Sequence, residues 1–167
     1  MRHVISILIE NEAGALSRVV GLFSQRGYNI DSLTVATTED PTLSRCTILT
    51  LGDRAESEQI TKQLHKLVDV LRVSDLDDEG RYLDRELVLV KVPTPTASAR
   101  TELRSLAGIF GARIIDVTRD IYTFEYTGTS EQVDDFIEAL RSCGDIYETV
   151  RSGVLGIARG NTYMRGA

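Results

Sequence analysis

Cysteine, histidine and proline are scarce in this chain, at two, two and three among 167 residues. Cys46 and Cys143 lack CxxC spacing and read as reduced, buried structural thiols. His3 and His65 lie far apart and form neither HxxxH nor HExxH, so metal-bound and histidine-based chemistry has little to work with. So few prolines exclude a long Pro-rich linker. Long apolar runs are also missing. Val4 to Ile9 is broken by Glu10 and Glu12, whereas a membrane span needs about 20 apolar residues and a secretory signal an apolar stretch of about 7–15. A cytoplasmic chain without membrane contact is expected. There is no excess of positive charge: 19 basic residues face 25 acidic ones, for a net charge of −6. Nucleic-acid binders are more often basic, so no nucleic-acid partner is expected. What is present is globular in balance, 42% apolar and 26% charged. The length suits one domain or two small ones.

The periodicities give an order of elements. Val4 to Ile9 is short and β-branched, a buried strand. Leu16, Val19, Val20 and Phe23 then share one helix face, and Arg26-Gly27 supplies a helix ending. Ile30 to Ala36 reads as a strand, Thr37 to Ser44 as a hairpin loop, and Cys46 to Leu51 as a third strand. Asp53 with Glu56 is a capping pair for a helix facing inward through Ile60, Leu64, Leu67 and Val68. Val70 to Val73 completes a βαββαβ unit. Asp75 to Glu79 reads as a solvated acidic connector.

The order then repeats. Leu87 to Val90 is a strand, and Thr96 caps a helix with Leu103, Leu106, Ala107 and Phe110 on one face. Arg113 to Val117 and Ile121 to Tyr126 flank a tight turn at Arg119-Asp120. Thr129 and Gln132 cap a helix with the stripe Val133, Phe136, Ile137 and Leu140. Ile146 to Ile157 reads as a last strand interrupted by Gly153. The predicted fold is α+β, two ferredoxin-like βαββαβ sandwiches in tandem. The predicted domains are 1–76, a connector at 77–83, and 84–167. Helices on one face leave the other open, yet Val4 and Leu8 oppose Ile5, Ile7 and Ile9 across the first strand. Strands apolar on both faces are covered on both. The second strand of such a fold lies at an edge, and edges need cover. At least a dimer is expected, the alternative being that the second unit covers the first.

The most informative stretch is Asn11-Glu12-Ala13-Gly14-Ala15-Leu16, which joins a strand to a helix N-terminus. The first N–H groups there lack internal partners and carry partial positive charge, so a carboxylate is stabilised. Gly14 allows close approach to the backbone, and Asn11 offers both a donor and an acceptor. These groups fit the α-carboxylate and α-ammonium of a small amino acid; a purely steric use of the glycine is the competing reading. No GxGxxG or GxxxxGK[ST] is present, which argues against a nucleotide cradle. Arg26-Gly27-Tyr28 opens like an RNA-recognition consensus, but stands on the second strand and lacks the rest of the pattern. Val92-Pro93-Thr94-Pro95 occupies the equivalent junction in the second unit, where proline supplies no donor, so no site of the same kind is expected there.

Asn11 to Arg18, Gly21 to Ile30 and Ser32 to Val35 resemble the N-terminal ACT domain of the acetolactate synthase small-subunit family. Gln63 to Val70 continues the likeness, and Ile114 to Val117 with Arg151 to Val154 extend it into the second unit. The resemblance implies a non-catalytic regulatory subunit of branched-chain amino acid biosynthesis, with no cofactor on this chain. Its implied partner is a large catalytic subunit carrying thiamine diphosphate, Mg and FAD. The implied effector is valine, bound where the ACT domains of a homodimer meet. By motif, the implied site joins Asn11, Gly14 and Ala15 of one chain to Asn29 and Ile30 of its neighbour.

Two other classes compete. A free-standing enzyme would need a base or nucleophile with an orienting partner. No GxSxG, Cys–His pair or metal cluster is visible, and Asp134-Asp135 reads as a solvated helix face. An amino-acid sensor controlling another enzyme or transcription would need, for the latter, a DNA-reading element, and no helix-turn-helix stands outside the two units. After Glu148 come Arg151, Arg159 and Arg165 with several glycines, which read as a frayed tail or as a basic docking segment for a large subunit.

Overall fold

The computed structural model describes residues 1–166. It divides into two compact units: Met1–Leu83 with the segment from Val154 onward, and Asp84–Gly153.

The first unit runs β1 (Arg2–Glu10), α1 (Ala15–Gln25), β2 (Ser32–Thr37), β3 (Leu43–Leu51), α2 (Arg54–Leu64) and β4 (Val70–Asp75). Its antiparallel sheet has the order β2-β3-β1-β4. Ile5, Ile7 and Ile9 face the helices and meet Val19, Phe23, Ile60 and Leu64 in one core. The helix boundaries follow from local chemistry. Asp53 and Glu56 form the expected capping box on α2. Gly27 follows α1 at φ 71°, a left-handed conformation an L side chain disfavours. Helix α2 stops earlier than its pattern predicts: the chain tightens after Leu64, and Val68 is 88% exposed rather than on the inner face. Cys46 is buried in this core, which pushes its thiol up to about 12. A thiol reagent at pH 8 is therefore expected to modify half-buried Cys143 before Cys46, which should react only on unfolding. Peptide mapping of the labelled native chain decides this, and equal rates at the two thiols would refute it.

Two expectations for this unit are corrected. Asp75 to Glu79 is not wholly solvated: Asp75 is buried and Leu76 is 2% exposed. Asp75 accepts hydrogen bonds from Ser57 and pairs with His3 Nδ1 at 2.9 Å, which draws the start of the connector into the fold. The second correction concerns the outer face of the sheet. Val4 and Leu8 are fully buried there, as the two-sided apolar pattern requires. What covers them is the C-terminal segment of the same chain. Gly153, at φ 86°, interrupts the last strand, as its place in the sequence suggests. The interruption leaves two pieces, β8 (Glu148–Arg151) and β9 (Leu155–Ala158), both paired with β5. Val154 donates to Ser32 Oγ (3.2 Å) and accepts from Thr34 Oγ1 (3.1 Å). A Cβ at Gly156 would lie 2.7 Å from Leu76 and 3.0 Å from Val4. The expected 84–167 domain thus differs from the fold, which returns residues from Val154 to the first unit.

The second unit runs β5 (Tyr82–Pro93), α3 (Ala97–Phe110), β6 (Arg113–Val117), β7 (Ile121–Gly128), α4 (Ser130–Cys143) and β8. Its strand order is β6-β7-β5-β8, the same topology as the first unit's. Val133, Phe136, Ile137 and Leu140 pack with Leu103, Ala107 and Phe124 in its core. Phe136 stacks edge-on against Phe110 and Phe124. Arg151 is engaged: it pairs bidentately with buried Glu86 (2.8 Å to each oxygen) and with Asp134 (2.7 Å). These carboxylates raise its guanidinium pKa, so Arg151 is not the free docking cation its place in the sequence allowed.

Candidate functional site

The β1-to-α1 junction is shaped by three side chains. Gly14 is the residue before the first turn of α1 and adopts φ 87°. No side chain caps this helix and no acidic residue stands in its first turn. The other helices differ. Asp53 and Thr129 close capping boxes on α2 and α4, and Thr96 accepts from Ala99 N on α3. No side chain therefore takes up the first N–H groups of α1, although Glu12 stands just outside the helix. Ala15, just inside, is buried against the core.

Asn11 is exposed, and its amide is partly engaged. Nδ2 donates to Pro41 O (3.0 Å), and Oδ1 accepts from Ser44 Oγ (3.2 Å). Its backbone N–H donates to Thr42 O at 2.8 Å. Asn11 so fixes the junction to the β2–β3 hairpin, and keeps one donor and one lone pair for another group. Arg18, one turn on, went unnoticed in the sequence. Its Nη1 lies 2.9 Å from where a Cβ on Gly14 would stand. Asp69, 7% exposed, holds this guanidinium through a short hydrogen bond to Nε. That bond lowers the Asp69 pKa and raises that of Arg18, so the pair is ionised at neutral pH. Its contribution is lost as pH falls through the depressed Asp69 value. The spacing of Gly14 and Arg18 was the available signal; the distant Asp69 gave none.

Asn29 and Ile30 stand at the other end of α1, leading into β2. Asn29 is exposed; its side chain donates to Asp31, and its carbonyl accepts from Thr50 Oγ1 at 2.6 Å. Ile30 is half-buried at the margin of the core. The structure therefore brings Asn11, Gly14 and Ala15 together, but not with Asn29 and Ile30. Helix α1 has 11 residues, a length of about 16 Å at about 1.5 Å per residue. Tyr28, the aromatic of the RNA-like triplet, packs edge-on against Phe23 and donates to Gln59 rather than standing free on a sheet face.

Two acidic clusters and one serine cluster are accounted for internally. Glu10, Glu12 and Asp69 lie close together, as do His3, Asp75 and Asp77. Arg18 already holds Asp69, and Asp77 accepts from Val4 N and Tyr82 OH. Ser57, Asp75 and His3 converge, but the carboxylate stands between hydroxyl and imidazole. A serine nucleophile needs the imidazole in that middle place. In the second unit, Thr94 N and Oγ1 bond to Asp120 O and Arg119 O, tying the Pro-flanked junction to the β6–β7 turn.

Two βαββαβ modules and one glycine-shaped, uncapped helix entry define the class: a tandem ferredoxin-like α+β protein. Residues 5–72 match the family described as the AHAS small subunit-like ACT domain, and residues 85–160 the small subunit of acetolactate synthase. The chain is 56% identical over 165 residues to the acetolactate synthase isozyme 3 small subunit of Salmonella typhimurium, covering 99% of this chain and all of that one. It is 46% identical to a probable acetolactate synthase small subunit of Methanothermobacter thermautotrophicus, over 97% of this chain and 95% of that one. The crystal structure of the acetolactate synthase small subunit from Thermotoga maritima matches with a TM-score of 0.87 and 37% identity, covering 97% of this chain and 99% of that one. The chain belongs to the acetolactate synthase small-subunit family, with an ACT domain at its N-terminus.

Proposed function

We propose that this chain is the non-catalytic regulatory subunit of an acetolactate synthase, and that it senses L-valine where two ACT domains meet. The observation that carries the reading is the entry to α1: a left-handed Gly14, no side-chain cap, no acidic residue in the first turn, and Arg18 beside it. That arrangement receives a carboxylate. Asn11 has hydrogen-bonding capacity left for the ammonium or a carboxylate oxygen. Asn29 and Ile30 complete the site only from a second copy, since α1 holds them a helix length away in their own chain. Strand β2 is the edge through which the copies pair: it is exposed toward its end, and its outer ladder groups need a partner. Such a site is isologous and occurs twice per dimer. A ligand shared by two chains favours one arrangement of them, and allosteric coupling is typically about 1–3 kcal/mol. Selection against leucine or isoleucine is soft, because one methylene in an apolar pocket is worth about 1–3 kcal/mol. Thiamine diphosphate, Mg and FAD belong, in this reading, to the large catalytic subunit.

Reconstitution tests it. Added to a cognate large subunit, the chain should raise acetolactate formation, and L-valine should then lower it. Asn11→Ala should keep the activation and lose the valine response. It should cost the fold only about 1–2 kcal/mol, the net value of two hydrogen bonds to an exposed amide. Neither activation nor valine inhibition with the wild-type chain would sink the proposal.

A further inference from the structure

On the sheet face opposite the helices, the first unit holds a second polar centre that valine sensing does not use. Arg45 lies on β3, opposite Leu8 in register, with its guanidinium on the outer face. Its Nε donates to Ser6 Oγ, and Nη1 reaches Met164 O at a long 3.5 Å. A guanidinium has five N–H donors, so most have no partner among the described residues. No ion pair joins it to a carboxylate among the described residues; Glu39 and Glu79 act on it only at a distance. Burial lowers its pKa, yet arginine stays charged in a protein. Beside it is Ser74, paired with Ser6 across β1 and β4. Ser74 is 5% exposed, and its Oγ has no hydrogen-bond partner among the described residues. Buried hydroxyls without partners are uncommon and call for an explanation.

Both groups line one cavity of about 550 Å³, roofed by the C-terminal segment. That volume lies within the range of about 300–1,000 Å³ typical of small-molecule sites. Leu76 and Ile157 form an apolar wall, and Arg72 and Glu79 stand at the rim with His65. Arg45 and Arg72 face Glu79 across the lining, and Glu39 acts on Arg45 from farther off, so the site has room for one negative charge and little more. This suits a monoanion, whereas a phosphate dianion would face the Glu79 carboxylate.

We propose that this cavity binds a small aliphatic carboxylate, with its oxygens on the Arg45 guanidinium and the Ser74 hydroxyl and its hydrocarbon against Leu76 and Ile157. The site is separate from the α1 entry, which lies on the helix side of the sheet. The charged head satisfies donors that the fold leaves open, and the apolar wall selects against small inorganic anions.

The probe is 4-methylpentanoate, titrated into the full-length chain while backbone amide resonances are followed. Saturable shifts at Ser74, Leu76 and Ile157 are expected. The neutral 4-methylpentanamide should bind about tenfold more weakly or worse, as should the acid to Arg45→Gln. Ser74→Val removes the hydroxyl and puts a methyl where the carboxylate would sit, without changing the arginine; it should weaken the shifts about tenfold or more, and decides the matter if Arg45→Gln does not fold. Asn11→Ala should bind the acid as the wild type does, which separates this site from valine sensing. Absence of saturation, equal binding of the amide, competition by inorganic phosphate at equal strength, or shifts confined to the β1–α1 junction would each overturn the proposal.

Discussion

Replacing Gly14 with valine is expected to abolish the valine response while the chain stays folded. Gly14 sits at φ 87°, where an L-residue costs about 1–2 kcal/mol and a β-branched one is a marked outlier. Its Cβ would also meet Arg18 Nη1 at 2.9 Å. That contact is with the end of a flexible side chain, so the arginine swings away and the clash itself is cheap. Domain stabilities of about 5–15 kcal/mol absorb the strain. In a unit of this size, each kcal/mol lowers Tm by about 4–8 °C. The site does not absorb it as easily. Charge-assisted hydrogen bonds work at about 2.7–2.9 Å, and a backbone that relaxes toward negative φ turns its N–H groups off the carboxylate. Arg18 is displaced at the same moment. Calorimetric affinity for L-valine should fall about a hundredfold or more, which corresponds to about 3 kcal/mol. Gly14→Ala should fall between. Affinity within a few-fold of wild type in Gly14→Val would mean that this helix entry does not hold the ligand.

Much of the fold was legible because its signals are local. The stripe Val133, Phe136, Ile137 and Leu140 is buried as its spacing demands, and two capping boxes stand where acid and amide partners follow by three. The placement of the C-terminal segment was not legible, for the converse reason. Val150, Leu155 and Ile157 carry the same apolar character on both sides of Gly153, and nothing local says that the residues beyond it pack on the first unit. The partner of Gly156 is Val4, at the far end of the chain. Similarly, Asp75 looked like one acid among several. Only the fold shows it meeting His3 and Ser57. At the proposed valine site, Asn11 and Gly14 were legible from the strand-to-helix boundary. Arg18 was not, because its meaning depends on Asp69 holding it over the glycine.

Gly156→Val should release the C-terminal segment from the first sheet without unfolding the core beneath it. A Cβ there would stand 2.7 Å from Leu76 Cδ1 and 3.0 Å from Val4 Cγ1. Leu76 is a flexible side chain but fully enclosed, and Val4 is β-branched on a central strand, so neither can yield far. Overpacking of this kind costs about 1–3 kcal/mol. Detachment gives up the hydrogen bonds of Val154 with Ser32 and Thr34, the long one from Arg45, the donation of Arg159 N to Arg81 O at 3.0 Å and the pairing of β9, all losses within the segment itself, whereas Val4 could yield only by shifting a central strand. The helix-side core, with Ile5, Ile7 and Phe23, is untouched. Detachment exposes Val4, Leu8 and Leu76 together, an apolar patch that promotes association. Limited proteolysis should then cut between Gly153 and Gly166 in the variant and spare the wild type, and amides of β9 should lose their exchange protection. The carboxylate cavity should vanish, since Ile157 and Met164 form its walls. L-valine binding should persist, because the α1 entry lies on the other side of the sheet. An unchanged cleavage pattern and unchanged exchange in β9 would show that the sheet accommodates the side chain and that the close approach at Gly156 is not what seats the segment.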